Sequence, residues 1–285
     1  MSSTRERRAR ELAAARMARQ AERRQRAVER RRRRLSVVAA VVLVAIVASV
    51  TALLLVTAGS DDDEVTATPE SAPNASAAPA LPAGETSKVG DCVYTASGEA
   101  PSREVGLPAA APAVNRSPAT MVITTDQGTM TATLDTDKAP CTVNALRTLA
   151  EAGFYTDTPC HRQTGGADAG ISVLQCGDPT GTGTGGPGFG YANENTEGVN
   201  YNRGVLAMAH SSQPDSNGSQ FFINYADPSQ QGASALAGGY TVFGHITEGL
   251  DVLDKLTTPG VSGGGSDGAP TSGAKIQSIQ ITQEP

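Results

Sequence analysis

The stretch from Cys160 to Gly188, CHRQTGGADAGISVLQCGDPTGTGTGGPG, constrains this chain more than any other. Six glycines fall between Gly177 and Gly188, and Pro187-Gly188 closes the run. No helix can begin there, so the segment must be a long ordered loop. Before it, Arg162 and Gln175 lie in two short strand-like segments separated by a glycine-containing turn. Paired as a hairpin, those segments set a guanidinium and an amide side by side on one sheet face. What such a pair can do depends on the rest of the chain.

Charge divides the 285 residues unevenly. Residues 1–34 carry 14 arginines and 4 glutamates, while the remainder carries 9 basic and 25 acidic residues, so the net charge of −6 conceals +10 followed by −16. An acidic folded part excludes nucleic acid as a partner of the whole protein. Between the two lies Leu35 to Val56, 22 residues without charge or proline. As a helix it would measure about 33 Å, enough to cross a bilayer core. A cleaved signal peptide normally has a shorter apolar core, about 7–15 residues. Arg30 to Arg34 place the N-terminus in the cytoplasm by the positive-inside bias. The expectation is therefore a single-pass cell-membrane protein that touches lipid through 35–56, with everything after Ala58 outside the cytoplasm. All four cysteines, Cys92, Cys141, Cys160 and Cys176, then fall where disulfides persist. They allow three pairings, between which the residues alone do not choose. No C-x-x-C spacing supports a zinc site, and no metal is expected.

Residues 1–34 read as a basic cytoplasmic helix and 57–117 as a linker and leader. Gly59 to Lys88 is rich in alanine, serine, proline and acids and reads as a disordered tether. Val89 to Ser117 is expected to lie against the folded domain rather than in its core. The domain itself is placed at 118–285. MVITTDQGTMTATLD (121–135) gives two alternating runs around a turn, a hairpin. Pro140 suits a first helical turn, Val143, Leu146, Leu149 and Ala150 form a stripe, and Gly153 marks the stop. GVLAMAH, SQFFIN, YTVFGHI and AKIQSIQITQ supply further strands, and Thr247 is expected to cap a second helix carrying Leu250, Leu253 and Leu256. Two helices with about eight short strands predict a mainly β fold, a closed antiparallel barrel plugged by helices.

Several stretches resemble cyclophilin-type peptidyl-prolyl cis-trans isomerases: FYTDTPCHR (154–162), LQCGDPTGTGTGGPG (174–188), LAMAH (206–210), NGSQFFI (217–223) and YTVFGHITEG (240–249). The resemblance runs from about Met121 to Thr282. It implies a closed eight-stranded barrel with two helices and a shallow groove for a proline-containing peptide. By position, Arg162 matches the family's essential arginine and Gln175 its supporting glutamine. Phe222 matches the base of the proline pocket, and Gln220, Ala209 and His210 match groove residues. Leu236 matches a pocket leucine, and Tyr240 stands where many members have histidine. Ile171 and Val173 are the candidates for a pocket wall usually made of phenylalanine and methionine, and here the chain departs from the family, since QTGGADAGISV is longer than the usual connection. Ala235 replaces a tryptophan that helps some members bind cyclosporin, so weak cyclosporin binding is expected. The resemblance implies no cofactor and a monomeric catalytic domain.

The chemistry suits these residues. An X-Pro bond rotates over a barrier of about 18–20 kcal/mol, and twisting it returns a lone pair to the proline nitrogen. A fixed guanidinium is worth more to that twisted state than to either planar one. His161, His210 and His245 read as packed histidines, since isomerisation moves no proton. Gly181-x-Gly183-x-x-Gly186 fits a dinucleotide fingerprint, but no helix can follow Pro187-Gly188. Ser219 lacks a nucleophile elbow. On the expected hairpin Cys160 and Cys176 lie near opposite positions, which suggests a cross-strand disulfide and leaves Cys92 with Cys141 to pin the leader to the first helix. The rival reading is a membrane-tethered module that binds proline-containing chains with little catalysis, and retention of both Arg162 and Gln175 argues against it.

Overall fold

A computed structural model describes residues 78–165 and 169–284. The basic segment, the run 35–56 and the first part of the tether lie outside the described residues. Among the described residues no helix is long and apolar enough to cross a membrane.

The expected hairpin is β3 (Ala119–Thr125) and β4 (Gly128–Leu134), paired in register through Ile123 and Met130. Alternation sends Met121, Ile123, Met130, Ala132 and Leu134 into the core and Val122, Thr131 and Thr133 between them outward. Helix α1 (Pro140–Glu151) lays Val143, Leu146 and Leu149 on that core. Its start has no side-chain cap of its own; instead Glu194 accepts from the Cys141 and Thr142 N–H groups at 3.1 and 2.8 Å. A distant carboxylate thus supplies the anion that a helix N-terminus favours.

Short strands follow: β5 (Thr158–Pro159), β6 (Arg162–Thr164), β7 (Val173–Cys176), β8 (Phe189–Gly190), β9 (Val205–Met208) and β10 (Phe221–Asn224). Then come helix α2 (Gln230–Leu236), β11 (Val242–Glu248), helix α3 (Leu250–Thr257), a short 3-10 turn, β12 (Asp267–Gly268) and β13 (Lys275–Gln283). The main sheet is antiparallel, in the order β12-β6-β7-β10-β9-β11-β4-β3-β13-β5. Only Cys160 and His161 separate β5, which pairs with β13, from β6, which pairs with β7. One stretch of chain therefore serves both ends of the sheet, which curls on itself around the core. The ladder has ten strands rather than the expected eight because β5 with β6, and β12 with β13, are interrupted strands.

Three expectations need correction. The leader is part of the fold: β1 (Thr86–Val89) and β2 (Cys92–Ala96) pair with each other and with β8. Val89, Cys92, Tyr94 and Val105 are buried in the main core, with Tyr94 edge-on to Phe189 and Tyr191. Helix α2 went unforeseen because QQGASAL is short and contains glycine and serine; Ser229 caps it by accepting from the Gly232 N–H. Thr247 does not cap α3, since it still lies in β11 and its hydroxyl donates to the Thr131 carbonyl. Gly249 holds the cap position at φ 84°, and a Cβ there would lie 2.4 Å from the Thr129 oxygen.

Candidate active site

The β6–β7 hairpin forms as the alternation predicts, with Arg162 directly opposite Gln175. The row continues across the sheet, Gln175 facing Phe222 and Phe222 facing Ala207. The guanidinium, the amide and the aromatic ring therefore occupy one line across three strands. Cys160 and Cys176 are disulfide-bonded with Cα atoms 4.0 Å apart, which ties the start of the hairpin to its end. The second disulfide, Cys92–Cys141, joins the leader to α1. Both pairings are those expected.

Arg162 is held at two points. Its Nε and Nη2 donate to the two carboxylate oxygens of Asp267, each at 2.8 Å, and its Nη1 donates to Gln175 Oε1 at 3.3 Å. Asp267 sits on β12, which pairs with β6. Sequence reasoning assigned the support to Gln175 alone; the shorter, forked contact is to Asp267. The hydrogen bonds to Asp267 raise the affinity of the guanidinium for its proton, and the same bonds hold the Asp267 carboxyl below the ordinary range.

From Gln175 a relay leads into the glycine loop. Gln175 Nε2 donates to Gln220 Oε1 at 2.9 Å, and Gln220 Nε2 donates to the carbonyls of Gly183 and Gly185 at 3.0 and 2.9 Å. The loop is gathered on Asp178, a fully buried residue. Its carboxylate accepts from the Thr180 hydroxyl at 2.7 Å and from the N–H groups of Thr180, Gly183 and Gly185 at 2.8, 2.7 and 3.1 Å. Burial acts to raise the Asp178 pKa, but the bonds from Thr180, Gly185 and Gly183 together outweigh it and hold the carboxyl below its ordinary value. Asp178 and Asp267 were both missed. The Asp-x-Thr spacing at 178–180 is a local turn signal that could have revealed the first; nothing local connects Asp267 to an arginine 105 residues earlier.

Beside this network lies a second apolar cluster, apart from the main core. Val173, Tyr201, Ala207, Phe222, Leu236 and Val242 are buried in it, and Ile171, Ala209 and Tyr240 pack at its margin. Phe222 meets the Tyr240 ring edge-on at 5.5 Å. His210 lies 4.9 Å from Tyr240, and its ring nitrogens face the carbonyls of Ser211 and Gly239 at 2.6 Å each. The structure thus gathers all ten expected site residues, Arg162, Gln175 and Gln220 in the polar network and the others in or beside the apolar cluster. His161 packs against the loop near Gly183, and neither ring nitrogen has a hydrogen-bond partner among the described residues. Burial lowers its pKa and neighbouring Arg162 adds to this, against the opposing pull of Asp178.

Such an arrangement offers a fixed cation beside an apolar recess. Residues 120–281 match the family described as cyclophilin type peptidyl-prolyl cis-trans isomerase/CLD. The chain is 41% identical over 206 residues to a probable peptidyl-prolyl cis-trans isomerase B of Mycobacterium tuberculosis, the match covering 67% of this chain and 64% of that protein. The corresponding Mycobacterium leprae protein is 40% identical, with 67% and 66% covered. The chain thus spans just under two thirds of the length of these relatives. A crystal structure of a Cryptosporidium parvum cyclophilin type peptidyl-prolyl cis-trans isomerase is 30% identical, covering 59% of this chain and 99% of that one, with a TM-score of 0.50.

Proposed function

Because this chain belongs to the cyclophilin-type peptidyl-prolyl cis-trans isomerase family, we propose that it isomerises X-Pro bonds in exported or cell-envelope polypeptides, with Arg162 as the group that acts on the twisted amide. The observation that carries this reading is the double restraint on Arg162, forked to Asp267 and bonded to Gln175, in line with Phe222 across the sheet.

The proline ring enters the apolar recess, where Phe222 forms the base and Leu236, Val173, Ile171 and Tyr240 the walls. Ala209, His210 and Gln220 line the path of the flanking chain. As the bond twists, conjugation is lost and the nitrogen regains its lone pair. Three of the five guanidinium N–H groups are engaged by Asp267 and Gln175, which leaves two to direct at the substrate. Because the arginine is already oriented, little reorganisation is needed as the charge develops, so the interaction favours the twisted state over both planar ones. The step transfers no atom and needs no cofactor.

We also assign Leu35 to Val56 as a membrane anchor and the isomerase domain to the outer side, with proline-containing chains emerging from the membrane as substrates. The apolar run, the arginines before it and the two disulfides support that placement. The test is isomerisation of a proline tetrapeptide. Arg162→Ala is expected to lower kcat/KM by about two orders of magnitude or more, with the unfolding temperature of the domain maintained. Near-normal turnover in that variant would remove the assignment.

A further inference from the structure

A groove of about 830 Å3 opens beside Gln175 and Gln220. That is the size range of a pocket built for a ligand. Gln175, Ala209, His210 and Gln220 belong both to it and to the catalytic site, so a bound peptide can run from one into the other. One wall is the glycine loop, Gly183 to Gly188. Adjoining it is the leader, Thr95 to Ser97 with Glu99 and Ala100, which lies outside the residues matched to the family.

This second wall is held in place. Ser97 N–H donates to the Gly188 carbonyl at 2.9 Å, Ser102 N–H to the Gly186 carbonyl at 2.8 Å, and Gly186 N–H to the Ser102 hydroxyl at 2.9 Å. β2 also pairs with β8 through Ala96 and Phe189. The charges of the groove have one sign. Glu99 and Asp215 line it, both exposed and neither in an ion pair among the described residues, and no lysine or arginine lines it.

We propose that Glu99 and Asp215, beside the path of the flanking chain, select substrates that carry lysine or arginine near the proline. The proposal rests on the isomerase reading and adds a substrate class to it. Two unpaired acids facing a peptide arm attract a cation and repel an anion, while the neutral glycine wall lets the backbone approach closely. The leader thus contributes specificity to a site whose chemistry lies on the barrel.

The experiment uses the full chain in detergent and matched peptides with a single X-Pro bond, bearing lysine or glutamate a few residues before or after it. Both kcat/KM and affinity are measured. On one side of the proline the lysine peptide is expected to exceed the glutamate peptide by about three- to tenfold in low salt, falling as salt rises. In the Glu99→Gln/Asp215→Asn double variant that ratio falls towards one. Equal values for the two peptides on both sides would overturn the proposal, and so would a ratio that survives the double substitution. Lysine preference in affinity without turnover of any peptide would uphold the groove and remove the isomerase reading alone.

Discussion

Replacing Asp267 sets two effects against each other at Arg162. In Asp267→Ala the guanidinium loses both 2.8 Å bonds and keeps only the 3.3 Å contact to Gln175. In the proposed reaction an arginine held by Gln175 alone recovers part of its rotamer freedom, up to about 2 kcal/mol, which must be surrendered again at the twisted amide. The opposing effect is loss of a counter-charge, which leaves the cation more strongly attracting the proline nitrogen. The side chains of the pair are 45% and 53% exposed, so solvent keeps that gain at the level of a surface pair, about 0.2–1 kcal/mol. Positioning therefore wins by about 1 kcal/mol, and kcat/KM for a proline tetrapeptide should fall about fivefold. Asp267→Asn retains an acceptor without the charge and should lie between the variant and the parent. Thermal unfolding followed in parallel should show a stability cost below about 1 kcal/mol for either change. A kcat/KM equal to or above the parent in Asp267→Ala would refute the argument, and would mean that Gln175 alone orients the arginine and Asp267 restrains it.

Two further outcomes follow from groups outside the family's motif roles. The Asp178 carboxyl is held below its ordinary value, so its contribution is complete above the unfolded aspartate pKa of about 3.9 and is lost as pH falls through the lower folded value. A pH profile of activity should therefore show an acid limb beginning below pH about 4, and Asp178→Asn should weaken the site already at neutral pH; an unchanged profile would detach the loop from catalysis. Shortening the chain to 118–285 removes Tyr94 from the core and the Cys92–Cys141 bond, whose ends are 49 residues apart. The loss of the buried Val89, Tyr94 and Val105 contacts should lower the unfolding temperature of the shortened chain, and an unchanged unfolding temperature would return the leader to the status of a linker.

Legibility in the sequence followed the distance over which each determinant acts. The β3–β4 hairpin and the Arg162–Gln175 pairing depend on alternation and turns within a few residues, and both could be read directly. The leader could not: its apolar residues are sparse, and Tyr94 is buried only because Phe189, Tyr191 and α1 come to it from elsewhere in the chain. The Thr247 cap failed for the opposite reason. A favourable local cap residue was overruled by strand pairing that continues to Glu248. Asp267, within a glycine- and serine-rich loop, carried no pattern, although it makes the shortest contacts to the principal residue of the site. The resemblance to a family brought the pocket residues together across that gap, whereas the residues that support them came only from the fold.

The glycine loop is the case where sequence and structure give different reasons for one conclusion. Its G-x-G-x-x-G spacing fails as a phosphate cradle in sequence terms because Pro187-Gly188 forbids the helix that must follow. In the structure the N–H groups of Gly183 and Gly185 do converge on an anion, but the anion is the carboxylate of Asp178. The carbonyls of the same two residues are taken by Gln220. With N–H and C=O groups both engaged, the loop has no cradle left to offer a ligand. Glycine is required at 185 because a Cβ there would stand 2.0 Å from the Asp178 carboxylate and 2.4 Å from the Ser102 hydroxyl. The loop's composition is therefore explained by close approach on two sides, to the aspartate that shapes it and to the leader that braces it. Through Gln220 and Gln175 that same loop fixes the placement of Arg162.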